Sequence, residues 1–155
     1  MEVQNVVQTG SQSITNYDLT KVFIGNNRYS HASFKNTTGA TVTIPFGTLM
    51  GKVSAIVVDI DNVVGYLRVF DSSNTEGGKT PVGILAQDLV VAAGATVSNV
   101  RYALQGDFDL SFLLLNNGTD TLDTVVSGTA VRELILSQTG LFGINLQQMT
   151  KFDNQ

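Results

Sequence analysis

The run from Gly106 to Gly118, GDFDLSFLLLNNG, constrains this chain more than any other stretch. Phe108, Leu110, Phe112 and Leu114 fall on one side of an extended backbone, and Asp107, Asp109 and Ser111 fall on the other. Period two over eight residues predicts a half-buried strand, because successive strand side chains point to opposite faces. Asn116-Asn117-Gly118 then closes it, since Asn-Gly favours positive φ. Ahead of it, Val97, Val100, Tyr102 and Leu104 alternate less cleanly.

The rest of the chain points the same way. From Arg28 on, RYSHASF sets Tyr29, His31 and Ser33 against Ser30, Ala32 and Phe34. GATVTIPFGTLMGKVSAIVVD is β-branched and broken by Gly39, Gly47 and Gly51, and Pro45 demotes a long central strand to a turn or edge near Ile44–Phe46. VVGYLRVFD is the next strand candidate, and LFGINLQQM reads as a closing strand. One helix is expected over 129–139, with Ala130, Val131, Leu134 and Ile135 on one stripe, Thr129 as N-cap and Gly140 as terminator. The class is therefore mainly β, with one short C-terminal helix. Residues 1–20 are polar, with Val3, Val6, Val7 and Ile14 too sparse to form a core. They read as an arm that lies on something else or, alternatively, as an edge strand of the domain spanning 21–155.

Composition excludes several function classes. There are 155 residues and no cysteine, so disulfides and thiolate metal sites are out, and a single domain of this size can bury an adequate core. Charged residues make up only 14%, replaced by Thr, Ser, Asn, Gln and Gly. Such a surface suits proteins whose neighbours touch over wide polar areas. The net charge is −4 with nine scattered Lys and Arg, so no basic cluster tracks a phosphate backbone and no nucleic-acid partner is expected. No membrane span is expected, since no stretch of 18 continuous apolar residues exists, and the first residues lack the basic and apolar regions of a Sec signal.

Each chemical motif has a simpler reading. Gly78-Lys79-Thr80 ends like a phosphate-binding loop, but Ser73 stands where the first glycine is needed. Pro81-Val82-Gly83-Ile84-Leu85 follows where a helix must begin, and it favours extended chain. Gly77-Gly78 is then a turn between strands, with Lys79 and Thr80 solvated. Asp59 to Asn62 (DIDN) starts like a calcium loop, but Val63 cannot supply the next side-chain ligand. Asp107 and Asp109 sit roughly 6–7 Å apart on a strand face, a spacing that could suit paired carboxylates, but with no flanking acid, His or aromatic platform they read as a solvated strand face. His31 is the sole histidine and sits in no catalytic motif. Asn36-Thr37-Thr38 and Asn117-Gly118-Thr119 match glycosylation sequons but read as turns, and the absence of Trp weakens a sugar platform. No metal, cofactor or catalytic site is expected.

Taken in order, Ile44-Pro45, Gly47, Leu49, Gly51-Lys52, Phe70-Asp71, Pro81 to Ala86, Asp88 and Gly106 resemble the head decoration proteins of tailed bacteriophages, the lambda-type D family. The likeness covers about residues 42 to 115, with a looser fit through the helix and GLFGINL. It implies a small β-tulip-type domain and a homotrimer seated on the outer surface of the phage head. It also implies an N-terminal arm that pairs with strands of the major capsid protein, and a non-enzymatic, capsid-stabilising function in the virion after synthesis in the host cytoplasm. On that reading Val3, Val6, Val7 and Ile14 contact the capsid, and Thr80, Pro81 and Val82 lie near a packing interface. The stretch ahead of the matched region is long and lacks the Pro-rich character of some arms of that family, so residues 20–40 are alternatively an extra strand. The rival functions are a virion fibre or receptor- and glycan-binding module, and a carboxylate hydrolase using Asp107 and Asp109.

Overall fold

A computed structural model describes residues 23–54, 63–115, 118–138 and 144–147. The strands are β1 (Phe23–Lys35), β2 (Val42–Ile44), β3 (Leu49–Lys52), β4 (Leu67–Val69), β5 (Pro81–Leu85), β6 (Leu89–Val91), β7 (Thr96–Asp109), β8 (Val125–Val126), β9 (Thr129–Ala130) and β10 (Ile144–Gln147). A 3-10 turn, Leu110–Phe112, follows β7, and one α-helix, α1 (Val131–Gln138), lies near the C-terminal end. The protein is mainly β.

The main sheet runs β1-β4-β3-β5-β7-β10, and β1 also pairs with β7, closing the sheet into a barrel-like ring. β7 is the shared wall. It is antiparallel to β1 from Phe23↔Phe108 to Lys35↔Thr96. On its other edge it takes β5 at Ala103 and Tyr102, then β10 in parallel from Gly106 to Asp109. The β1–β7 ladder has three register shifts, one beside Asn99, whose φ is 58°. Bulges bend and twist a long strand pair, which lets two strands of 13 and 14 residues curve around the ring.

The sheet is buried on both faces. Leu49, Ile84, Ala103, Phe23 and Phe108 face a core completed by Val131, Leu134 and Ile135 of α1 and by Val126 and Ile144. Their neighbours Met50, Leu85, Tyr102, Val100, Phe34 and Leu67 face a second core, closed by Ile44, Leu89 and Val91 of the separate β2–β6 ribbon. Double-sided burial makes a strand read as a continuous apolar run rather than an alternating one. This is why Pro81–Leu85 carries no period-two pattern.

Several expectations hold. Pro45 sits in the turn between β2 and β3, residues 81–85 are a strand and not a helix, and Ile144–Gln147 is the closing strand. Others are corrected. The strand expected to continue through Leu114 stops at Asp109, because the Asp109 carboxylate accepts hydrogen bonds from Ser111 N and Oγ, both at 2.9 Å, and turns the chain into the 3-10 segment. Leu114 is exposed rather than buried. The helix begins at Val131, not at 129, because Thr129–Ala130 pair with Val125–Val126 in a hairpin. Its first amides are satisfied by loop carbonyls, Val131 N to Thr124 O and Arg132 N to Leu122 O, leaving no capping duty for Thr129. The hairpin turn, Ser127-Gly128, has φ of 52° and 92°, the two positive values that suit a tight hairpin. Phe23–Lys35 is a full strand of the domain, which decides that stretch in favour of the extra-strand alternative. Residues 1–22, with Val3, Val6, Val7 and Ile14 of the expected arm, lie outside the described residues, as do Asp59–Asn62 and Asn117.

Candidate functional site

One concave feature of the described surface is an open groove of about 460 Å³ at the end of the ring where β1 finishes. Phe34, Ile44 and Phe70 form its nearly sealed floor, and half-buried Val42 and Val69 supply the apolar surface that remains. One wall is β2 with Lys35, Thr37 and Thr38. The facing wall is β4 with Asp71 and Asn74.

The side of the groove formed by residues 36–40 is held by one residue. Asn36 is 1% exposed, and its Nδ2 donates to Ala40 O at 2.7 Å and to Val91 O and Ala92 O at 3.0 Å. Its Oδ1 accepts from Thr38 N at 2.9 Å, and its own amide donates to Ala95 O at 2.9 Å. Asn36 therefore ties the end of β1 to the turn between β6 and β7. The sequon at 36–38 is a turn as expected, but one whose asparagine is sealed inside it and cannot carry a glycan.

The opposite side is the 71–80 loop that holds the GKT tripeptide. Asp71 Oδ1 accepts from Ser73 N, and Asn74 Oδ1 accepts from Glu76 N and Gly78 N. Ser72 donates through N and Oγ to the Asp120 carboxylate, and Arg68 pairs with Glu76. Gly77 and Gly78 are buried, and the Gly78 backbone lies so close to Gly51 of β3 that Gly51 could carry no side chain toward it. Two amides of this loop are thus committed to Asn74 and a third, Thr80 N, to Gly77 O, and a strand follows. Of the expected packing triplet, Thr80 is exposed and Val82 half-buried, while Pro81 is buried opposite Gly51. Pro81 serves the domain's own sheet, so any contact from this segment falls to Thr80 and Val82.

The remaining candidates are not brought together. Asp109 is 8% exposed and spends its carboxylate on Ser111, so the solvated strand face expected for Asp107 and Asp109 is corrected for Asp109. His31 is exposed on β1 opposite Arg101 of β7. Among the described residues no group of three His, Cys, Asp or Glu is placed to hold a metal. None of their helices is long and apolar enough to cross a membrane. The chain matches no family model and no curated protein. The site is thus described by geometry alone: a polar-walled groove bounded by strands.

Sequence reading passed over a second surface feature. Tyr29 packs edge-on against Phe23 with ring centroids 5.6 Å apart, and the Arg101 guanidinium lies 5.2 Å from the Tyr29 ring centroid. Burial raises the Tyr29 hydroxyl pKa above its ordinary value, and the Arg101 charge pulls partly against that. Only the pairing of β1 with β7 brings the two together.

Proposed function

We propose that this protein is a non-enzymatic capsid decoration protein of the lambda-type D class, acting as a homotrimer on the outer surface of a phage head. One observation carries this: the motifs behind the resemblance are scattered in sequence but adjacent in space. The Pro45-x-Gly47 turn is fastened to the PVGILA strand by Gly47 N to Leu85 O and Leu85 N to Thr48 O, both at 2.9 Å, and by Phe46 N to the Asp88 carboxylate at 2.9 Å. Gly51 abuts the loop between Phe70-Asp71 and Pro81, and Phe70 N bonds Leu49 O at 2.9 Å. Residues that build one interlocked unit are expected to occur as a set, and their adjacency is what supports this reading.

The mechanism on this reading is mechanical. A low-charge polar surface lets subunits and shell touch over wide areas without strong repulsion. A β-branched, Pro-free segment before the domain, including Val3, Val6, Val7 and Ile14, adds as a strand to an exposed edge of the major capsid protein, where main-chain hydrogen bonds give the affinity. The trimer then braces neighbouring capsomers against internal DNA pressure. Deleting residues 1–18 is expected to leave a folded protein that no longer cosediments with expanded capsids. Undiminished cosedimentation refutes the assignment of the arm.

A further inference from the structure

Two exposed patches of this chain each lack what the other has. The first lies on the β1–β7 wall. His31 stands opposite Arg101 in the ladder and Tyr29 is two residues along β1, so the three share one face. The Arg101 guanidinium is held 5.2 Å from the Tyr29 ring centroid and donates through Nη2 to Ala86 O at 3.3 Å. Among the described residues no carboxylate pairs with it, in a chain where 13 acidic residues outnumber nine Lys and Arg. The patch is thus an exposed ring beside a fixed, half-buried and unneutralised cation.

The second patch is the outer face of α1. Val131, Leu134 and Ile135 turn into the core, which at about 100° per residue leaves Glu133 and Leu136 directed away from it. Both are exposed. Ser137 Oγ donates to the Glu133 backbone carbonyl at 2.8 Å, and the neighbouring Arg132 pairs with Asp123. Among the described residues no cation therefore neutralises the Glu133 carboxylate. Here an apolar side chain stands beside an unneutralised anion. Residues three apart on a helix have Cβ atoms about 5–6 Å apart, the same separation as that between the Tyr29 ring and Arg101.

We propose that these two patches meet between copies of this chain, with Glu133 of one copy on Arg101 of the next and Leu136 on the Tyr29 ring. Both the charges and the spacing are complementary. A guanidinium already fixed over a ring loses little side-chain freedom when it takes a carboxylate. The net charge of −4 makes copies repel, so an opposite-charge pair decides which faces come together. The patches are different surfaces, so each copy uses one for each neighbour, the arrangement that closes into a ring. The inference rests on the homotrimer proposed above and names one contact within it.

Sedimentation equilibrium of the full chain over a range of concentrations tests it. Arg101→Glu alone and Glu133→Arg alone are each expected to weaken self-association about tenfold or more, because each sets like charges against one another. The double variant exchanges the charges and is expected to return to within about threefold of the wild type, a recovery that a merely structural role for either residue does not give. Glu133→Arg alters an exposed side chain, so its effect does not arise from loss of the fold. Unchanged association in both single variants overturns the contact and leaves the trimer standing. Weakening without recovery in the double variant overturns the pairing as well. A wild-type chain that sediments as a monomer at every concentration overturns both the contact and the trimer in solution, while the capsid assignment is decided separately by cosedimentation.

Discussion

Replacing Asn36 by alanine tests the joint that shapes the groove. The substitution removes the donors to Ala40 O, Val91 O and Ala92 O and the acceptor for Thr38 N. At about 1 kcal/mol net per hydrogen bond, the two N–H donors and one acceptor contribute about 2–3 kcal/mol. The expected loss is about 2–3 kcal/mol. In urea, with a slope of about 2 kcal/mol per molar, the midpoint falls by about 1–1.5 M with the slope unchanged. Asn36→Asp separates the hydrogen-bonding effect from simple loss of volume. Surrounded by three carbonyl oxygens, the introduced carboxyl is protonated more readily when folded than when unfolded. Its folded pKa lies above its unfolded one, so the variant keeps most stability at low pH and loses it as pH rises through the carboxylate range. A midpoint shift for Asn36→Ala worth less than about 1 kcal/mol, or an Asn36→Asp variant no weaker at pH 7 than at pH 4, would refute the joint.

Three further outcomes follow from other parts of the fold. Gly51→Ala drives a methyl group into the Gly78 backbone and is expected to cost about 2–3 kcal/mol in the same urea assay, the cost of overpacking where neither backbone has room to move. Ser127→Asn should stabilise the β8–β9 hairpin by about 0.5–1 kcal/mol and raise Tm by about 1–4 °C, because asparagine tolerates the positive φ of 52° better than serine. In an ultraviolet titration one of the four tyrosines, Tyr29, should ionise above the ordinary range, and Arg101→Ala should push it higher still by removing the opposing charge. Because the folded pKa is the raised one, Tyr29 contributes a loss of stability as pH rises through the tyrosine range and none below it.

Legibility in the sequence followed the range of the interactions. Short-range signals were read well: Pro45 marked a turn, Pro81–Leu85 a strand, and Val131, Leu134 and Ile135 one helical stripe. The misreadings occurred where a side chain or a distant partner overrode local pattern. Asp109 ends its strand by bonding Ser111, although the alternation of apolar residues continues to Leu114. Phe23 to Arg28 gave no strand signal because bulges disturb the period there, and the strand exists only because β7 supplies its partners. Asn36 spelled a sequon and became a buried tie, since its contacts at residues 91 and 92 are invisible from residues 36–38. The groove was unreadable for the same reason: its walls come from 34–44 and from 68–74.

The placement of β7 also governs how the chain comes to be folded. Phe108 is flanked by Phe23 of β1 on one side and Leu146 of β10 on the other. During synthesis β1 leaves the ribosome before β7 and waits for a partner about 60 to 85 residues further along the chain. Pairings this distant are slow to form, and an unpaired strand edge is sticky while it waits. The growing protein therefore cannot close its ring until β7 has emerged, nor complete its first core until β10 has. The yield of folded protein should then depend on elongation and release more than on the stability of the finished fold.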